Sequence, residues 1–211
     1  MELRPGSLFA NLLTIGNGVC GFAALVELSK IVEPLSAELL ESNIRHQMVA
    51  GYLILLGMPT KTPLIGIDWG TSNCRGYLLS AMGNVLDHVS DPRGIATVEN
   101  NQFQLVLEDI HGDWLRAYPN SPLLLSGMIG SRQGWIEAPY CPCPCALESI
   151  HQHAVALPSD RLTGYVVPGL SASGLSGAPD VMRGEETQIA GLAALQPGLT
   201  GTVCLPGSHS K

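Results

Sequence analysis

At 211 residues the chain is long enough for one large domain, or one and a half ordinary ones, with a sizeable buried core. Its net charge of −7 and pI near 5.2 leave no basic footprint, which argues against nucleic acid as a partner. Charged residues make up only 14% of the sequence and mean hydropathy is +0.22, so a segment of membrane-like apolarity is to be sought beside a soluble core.

That apolarity sits at the front. No charged residue occurs from Pro5 to Val26, and residues 8–26 are long enough to span a bilayer. Asn11, Thr14 and Asn17 recur at three-residue steps, which gathers them on one side of a helix and suits packing against other membrane helices. Arg4 is a thin positive region and no small-residue cleavage site follows, which disfavours a secretory signal. A charged connector, residues 30–45, leads to a second apolar stretch at 48–58, too short to span alone and cut off by Pro59-Thr-Lys-Thr-Pro63.

The pattern Asn11-Leu-Leu-Thr…Gly16-Asn-Gly…Cys20-Gly-Phe22 resembles the opening of CDP-alcohol phosphatidyltransferases of the phosphatidylserine synthase type. The Asp-containing metal-binding signature that continues the second helix of that family does not follow here, so phosphatidyl transfer is expected to be absent. This gives a provisional division into an apolar helical segment (1–58), a linker (59–63) and an α/β domain (64–211). The front segment is a candidate transmembrane helix, and the alternative function is a membrane-associated fragment carrying a passenger domain.

Beyond Pro63 the texture changes to short strands with Gly and Pro punctuation. Residues 64–69, 75–80 and 84–90 read as three consecutive strands joined by short turns, an antiparallel meander. Residues 103–118 predict an amphipathic helix with Phe103, Val106, Leu107, Ile110, Trp114 and Leu115 on its core face. The apolar run 123–128 predicts a buried parallel strand, residues 165–168 another strand, 185–195 a helix and 201–205 a last strand.

Within this frame, Leu64-Ile-Gly-Ile-Asp-Trp-Gly-Thr-Ser-Asn-Cys-Arg75 runs an apolar strand into Asp68 and then into a polar turn. Such a hairpin can face phosphate oxygens with its freed backbone N–H groups and the hydroxyls of Thr71 and Ser72, while Asp68 holds a hydrated Mg²⁺ against them. A β-hairpin with a polar tip is the plainer alternative. The six cysteines, three of them in Cys141-Pro-Cys-Pro-Cys145, do not make a disulfide framework and point to a reducing compartment. Successive thiols on an extended Cys-Pro run face opposite sides, so neighbours do not readily share a metal.

Four segments in order, Asp68-Trp-Gly-Thr-Ser-Asn-Cys-Arg75, Gly127-Met-Ile-Gly-Ser-Arg-Gln-Gly-Trp-Ile-Glu-Ala-Pro-Tyr140, Val181-Met-Arg-Gly-Glu-Glu-Thr-Gln188 and Pro206-Gly-Ser-His-Ser-Lys211, resemble the 2-dehydro-3-deoxygalactonokinases. The resemblance covers about residues 63–211. It implies a ribonuclease-H-like (actin-like ATPase) α/β half-domain with a mixed sheet, and ATP-dependent phosphorylation of a 2-keto-3-deoxy sugar acid at its terminal hydroxyl. It also implies ATP, Mg²⁺ and a sugar acid as ligands, and with the reducing compartment read from the cysteines the expected location is cytoplasmic, with membrane association through the N-terminal helix as the alternative.

By the same resemblance Asp68 organises Mg²⁺ through water, and Gly70, Thr71, Ser72 and Asn73 line the phosphates. Arg75 either neutralises phosphate charge or caps the hairpin. Ser131, Arg132 and Gln133 offer hydroxyl, cation and amide to a polyhydroxy acid, with Arg132 suited to its carboxylate. Trp135 either faces the sugar or packs in the core. Arg183, Glu185 and Glu186 form a substrate-side or base-positioning cluster at a helix start, where carboxylates also suit the helix dipole. The general base is one of the two glutamates. Gly207 and Ser208 are expected at the nucleotide, Ser208 standing where the family motif has Thr. The second half-domain expected of such a kinase does not follow in this sequence, so the chain is expected to be weakly active and prone to aggregate through an uncovered apolar face.

Overall fold

The computed structural model describes residues 62–81, 83–174 and 177–196, together with positions 51, 198, 200, 201, 203 and 205. The apolar segments at 8–26 and 48–58 (Gly51 apart) lie outside these residues, as do Gly207 and Ser208. Among the described residues no helix is long and apolar enough to cross a membrane.

A six-stranded mixed sheet organises the compact unit Arg45–Gly201. Its first strand, β1 (Leu64–Trp69), reads as a nearly continuous apolar run because both faces are covered: Leu64, Ile65, Ile67 and Trp69 are all fully buried. β2 (Cys74–Leu79) and β3 (Val85–Asp91) complete the expected antiparallel meander, each one residue away from the sequence expectation at its start. β3 is the edge, with Val85 and Leu86 exposed.

Helix α1 (Phe103–Ala117) follows, and β4 (Leu123–Ser126) then pairs with β1 in parallel, Asp68 opposite Ser126. The strand expected at 123–128 stops two residues early because Gly127 takes φ +89°, a left-handed turn that ends the ladder. β7 (Gly164–Val166) extends the sheet in parallel on the far side of β4, and β6 (Val155–Ala156) closes that edge. The resulting order is β3-β2-β1-β4-β7-β6.

A second sheet of three short strands, β5 (Cys141–Pro142), β8 (Leu170–Ser173) and β9 (Pro179–Met182), leads into helix α2 (Glu185–Leu195), whose bounds match the sequence expectation. Of the strand expected at 201–205, the described residues Gly201, Val203 and Leu205 lie in no strand, and Gly201 has φ +146° rather than a strand dihedral.

The core sits between the main sheet and α1. Trp69 meets Phe103 edge to face, ring centroids 5.8 Å apart, and Leu107, Leu123, Leu125 and Ile129 fill the space around them. Each such side chain contributes about 1.5–3 kcal/mol by leaving water. The polar edges of the aromatic residues are satisfied, Trp69 Nε1 donating to the Arg93 carbonyl (2.9 Å) and Trp114 Nε1 to Asp87 Oδ2 (3.0 Å). Cys74, Cys141, Cys143 and Cys145 are not joined in disulfides.

Candidate active site

Parallel pairing brings the carboxyl ends of β1 and β4 side by side, and this is where open α/β sheets hold ligands. Asp68 lies at that end, its side chain only 16% exposed. The antiparallel register sets Arg75 directly across from it, and Arg75 Nη1 reaches Asp68 Oδ2 at 3.4 Å. Burial pushes the Asp68 carboxyl above its usual range; Arg75 opposes that push and the charge of Glu185 adds to it. The guanidinium is thus first of all a partner for Asp68.

After Asp68 the chain turns tightly, the Gly70 amide donating to the Asn73 carbonyl (2.9 Å), and Thr71, Ser72 and Asn73 stand exposed at the tip. The turn is braced from behind. Ile95 and Ala96 donate their amides to the carbonyls of Gly70 and Thr71, at 2.9 and 3.1 Å. Gly94 makes this approach possible, since a β-carbon there would run into the Thr71 carbonyl and the Ser72 amide.

The start of α2 closes the third side. Gly184, with φ +107°, sets its backbone against Gly127; a β-carbon on it would lie 3.3 Å from Gly127 Cα and 4.0 Å from Asp68 Oδ1. This contact carries Glu185 and Glu186 to the Asp68 end of the sheet. Glu185 Oε2 accepts from the Arg183 amide (3.0 Å), and Glu186 Oε2 accepts from the Gly184 amide (2.7 Å). Glu186 is fully buried, which raises its pKa to about 8 despite that amide and its place in the first turn of a helix. It is therefore mostly protonated at neutral pH, whereas Glu185 is only partly buried.

Beside this cluster lies an open recess of about 380 Å³ lined by Met128, Ser131, Arg132, Gln133, Glu137, Tyr140 and Arg183. Ser131, Arg132, Gln133 and Arg183, all expected at the substrate, thus share one concavity. Arg132 is 88% exposed and loosely paired with Glu137 (3.6 Å). Arg183 is only 9% exposed: its Nη2 donates to the Ala138 carbonyl (2.7 Å), its Nε to Tyr140 Oη (3.4 Å), and its guanidinium carbon sits 4.2 Å from the centre of the Tyr140 ring. Trp135 does not line the recess but packs, half-buried, against the core. Arg183 Nη1, Glu186 Oε1 and Thr187 Oγ1 are buried without a hydrogen-bond partner, three such atoms within five residues.

Sequence reasoning missed Gly94, Gly127 and Gly184, which set the approach distances, and Glu137 and Tyr140, which line the recess. A Pro-Arg-Gly turn directly after a strand was the available signal for Gly94; Tyr140 stood inside a motif with nothing to mark it apart.

The family model described as 2-keto-3-deoxy-galactonokinase matches residues 68–211. The chain is similar to a probable 2-dehydro-3-deoxygalactonokinase of Rhizobium meliloti (strain 1021), 38% identical over 154 residues covering 73% of this chain and 50% of that protein. It is also similar to the 2-dehydro-3-deoxygalactonokinase of Escherichia coli (strain K12), 33% identical over 70% of this chain and 47% of the relative. A crystal structure of a Sinorhizobium meliloti protein assigned as a 2-dehydro-3-deoxygalactonokinase superposes with a TM-score of 0.63 at 37% identity, covering 70% of this chain and 48% of that one. The chain spans about half the length of the curated relatives it matches. On the extent of the family match, the chain belongs to the 2-keto-3-deoxy-galactonokinase family.

Proposed function

We propose that this chain supplies the phosphate-gripping and sugar-acid-binding side of an ATP-dependent kinase that phosphorylates a 2-keto-3-deoxy sugar acid, 2-dehydro-3-deoxygalactonate, at its terminal hydroxyl. The sheet order, a meander followed by parallel strands, supports a ribonuclease-H-like half-domain of the actin-like ATPase kind. The observation that carries the reading is the meeting of Asp68, the braced Gly70–Asn73 hairpin and the Gly184–Glu186 segment at one sheet end, next to a polar recess. Phosphoryl transfer depends on positioning and charge neutralisation, which is what such an arrangement offers.

The residues fit a nucleotide with a divalent cation. Asp68 is a buried carboxylate made costlier by its neighbour Glu185, a donor set that a cation relieves. Among the described residues no three His, Cys, Asp or Glu side chains group closely enough to hold a metal by themselves. Mg²⁺ here would rest on Asp68 through water and on the phosphates, and when bound it neutralises charge on the transferring group. Thr71, Ser72 and Asn73 present hydroxyls, an amide side chain and backbone N–H groups to phosphate oxygens. Arg75 opposes the rise that burial imposes on the Asp68 carboxyl. Glu185, less buried than Glu186, takes the proton of the sugar hydroxyl, and Glu186 fixes the turn at Gly184.

Calorimetric titration of the chain with Mg·ATP tests this reading. Asp68→Asn is expected to weaken binding at least about tenfold, the loss of one charge-assisted contact. No binding by the wild-type chain, or equal binding by both, would refute it.

A further inference from the structure

The recess contains two arginines in opposite states. Arg132 stands in solvent with Glu137 beside it, where an ion pair with a ligand is weakened by water and by competition from that carboxylate. Arg183 is desolvated and held on two of its three nitrogens, by the Ala138 carbonyl and by Tyr140 Oη, with the Tyr140 ring against its face. The third nitrogen, Nη1, lies over Gly130, where a β-carbon would come within 2.8 Å of it, and it has no partner. A buried guanidinium nitrogen without an acceptor is costly, and a fixed planar fork beside a polar recess is the group that recognises a carboxylate.

We propose that Arg183, and not Arg132, anchors the carboxylate of the sugar acid, and that Tyr140 is the positioning residue that holds the Arg183 guanidinium for it. The proposal rests on the kinase reading and adds which end of the acid lies where. Tyr140 acts in two ways: its ring covers the guanidinium face and keeps water from it, and its hydroxyl takes the Nε–H bond. Gly130 leaves Nη1 uncrowded, since a β-carbon there would fall 2.8 Å from it. With the carboxylate at Arg183, the rest of the acid is free to extend along Ser131 and Gln133.

The test is calorimetric titration of the full chain with 2-dehydro-3-deoxygalactonate and with its methyl ester, which has the same hydroxyls but no charge. The wild-type chain is expected to prefer the acid at least about tenfold, the scale of one charge-assisted hydrogen-bonded contact. Tyr140→Leu should remove most of that preference, Tyr140→Phe part of it, and Arg183→Lys most of it, while affinity for the ester changes little. Arg132→Gln should leave the ratio within about twofold, as for an exposed pair. Tyr140 is 40% exposed, so its variants are expected to fold, and unchanged thermal melting together with unchanged Mg·ATP binding confirms it.

A purely structural role for Tyr140 would not alter the acid-to-ester ratio. Loss of the ratio in Arg132→Gln with retention in Tyr140→Leu, or no acid preference in the wild type, overturns the proposal while leaving the kinase reading standing. Binding of Mg·ATP without any binding of the acid also overturns it, and absence of both ligands defeats the kinase reading together with the proposal.

Discussion

Burial of Glu186 makes the stability of this domain depend on pH, and Glu186→Gln should remove that dependence. The folded carboxyl titrates near 8 against an ordinary 4.5, because no water reaches it. Between those values the folded chain holds a proton that the unfolded chain has released, so stability contributed by this group is full below about pH 4.5 and declines as pH rises through 8. A shift of this size corresponds to a few kcal/mol, about 3–5 at most. Asp68, also raised by burial, adds a decline of the same sign, so the comparison must be between wild type and the single variant.

The amide variant is nearly isosteric. Its oxygen can keep the Gly184 N–H bond, and its nitrogen takes the place of the partnerless Oε1. Urea unfolding followed by tryptophan fluorescence at pH 5, 7 and 9 measures the effect. With an m-value of about 2–3 kcal/mol/M, the wild-type midpoint should fall by roughly 1–2 M more than that of the variant between pH 5 and 9. Parallel pH profiles would refute the reasoning, since they would mean that water or a cation reaches Glu186.

Other outcomes follow from the same structure. Gly94→Ala places a methyl group against the Thr71 carbonyl and Ser72 amide, so Mg·ATP affinity should fall markedly by calorimetry while stability drops about 1–3 kcal/mol by urea unfolding. Burial lowers the pKa of His111 to about 4, so its stability contribution is present above about pH 6.5 and lost as pH falls through 4. His111→Phe, keeping a ring stacked on Trp114, should flatten the acid side of the urea midpoint profile between those values. Leu125→Ala opens the centre of the core beside Trp69 and should cost about 2–5 kcal/mol by the same assay.

The elements legible from sequence were those with long local patterns. β1 declared itself as an apolar run leading into Asp68, α1 by Phe103, Leu107 and Trp114 at helical spacing, and α2 by Glu185 and Glu186 at its start. β5, β6, β8 and β9 have two to four residues each, too few to show a period of two, and are defined by the strands that pair with them. Gly201, Val203 and Leu205 are the converse: they come from a short apolar stretch expected as a strand, yet lie in none, and the Gly201 dihedral does not suit a ladder.

At the site, residue types were readable and environments were not. Asp68 and Glu185 lie 117 positions apart in numbering, and only the Gly127–Gly184 backbone contact shows that they share a field. Arg132 and Arg183 look alike in a motif, yet one stands in solvent and the other is locked under Tyr140, a difference set by the fold of the Ala138–Tyr140 segment. Glu185 and Glu186 are adjacent, and it is the helix geometry that buries one and leaves the other partly exposed.

The central claim, that one sheet end holds nucleotide phosphates and a sugar acid together, is tested most directly by proton relaxation of 2-dehydro-3-deoxygalactonate in the presence of the chain and Mn·ATP. The account predicts paramagnetic enhancement strongest at the terminal hydroxymethyl protons and weakest near the carboxylate, and its loss in Asp68→Asn. Uniform enhancement along the acid, or none in a chain that binds both ligands, would contradict it.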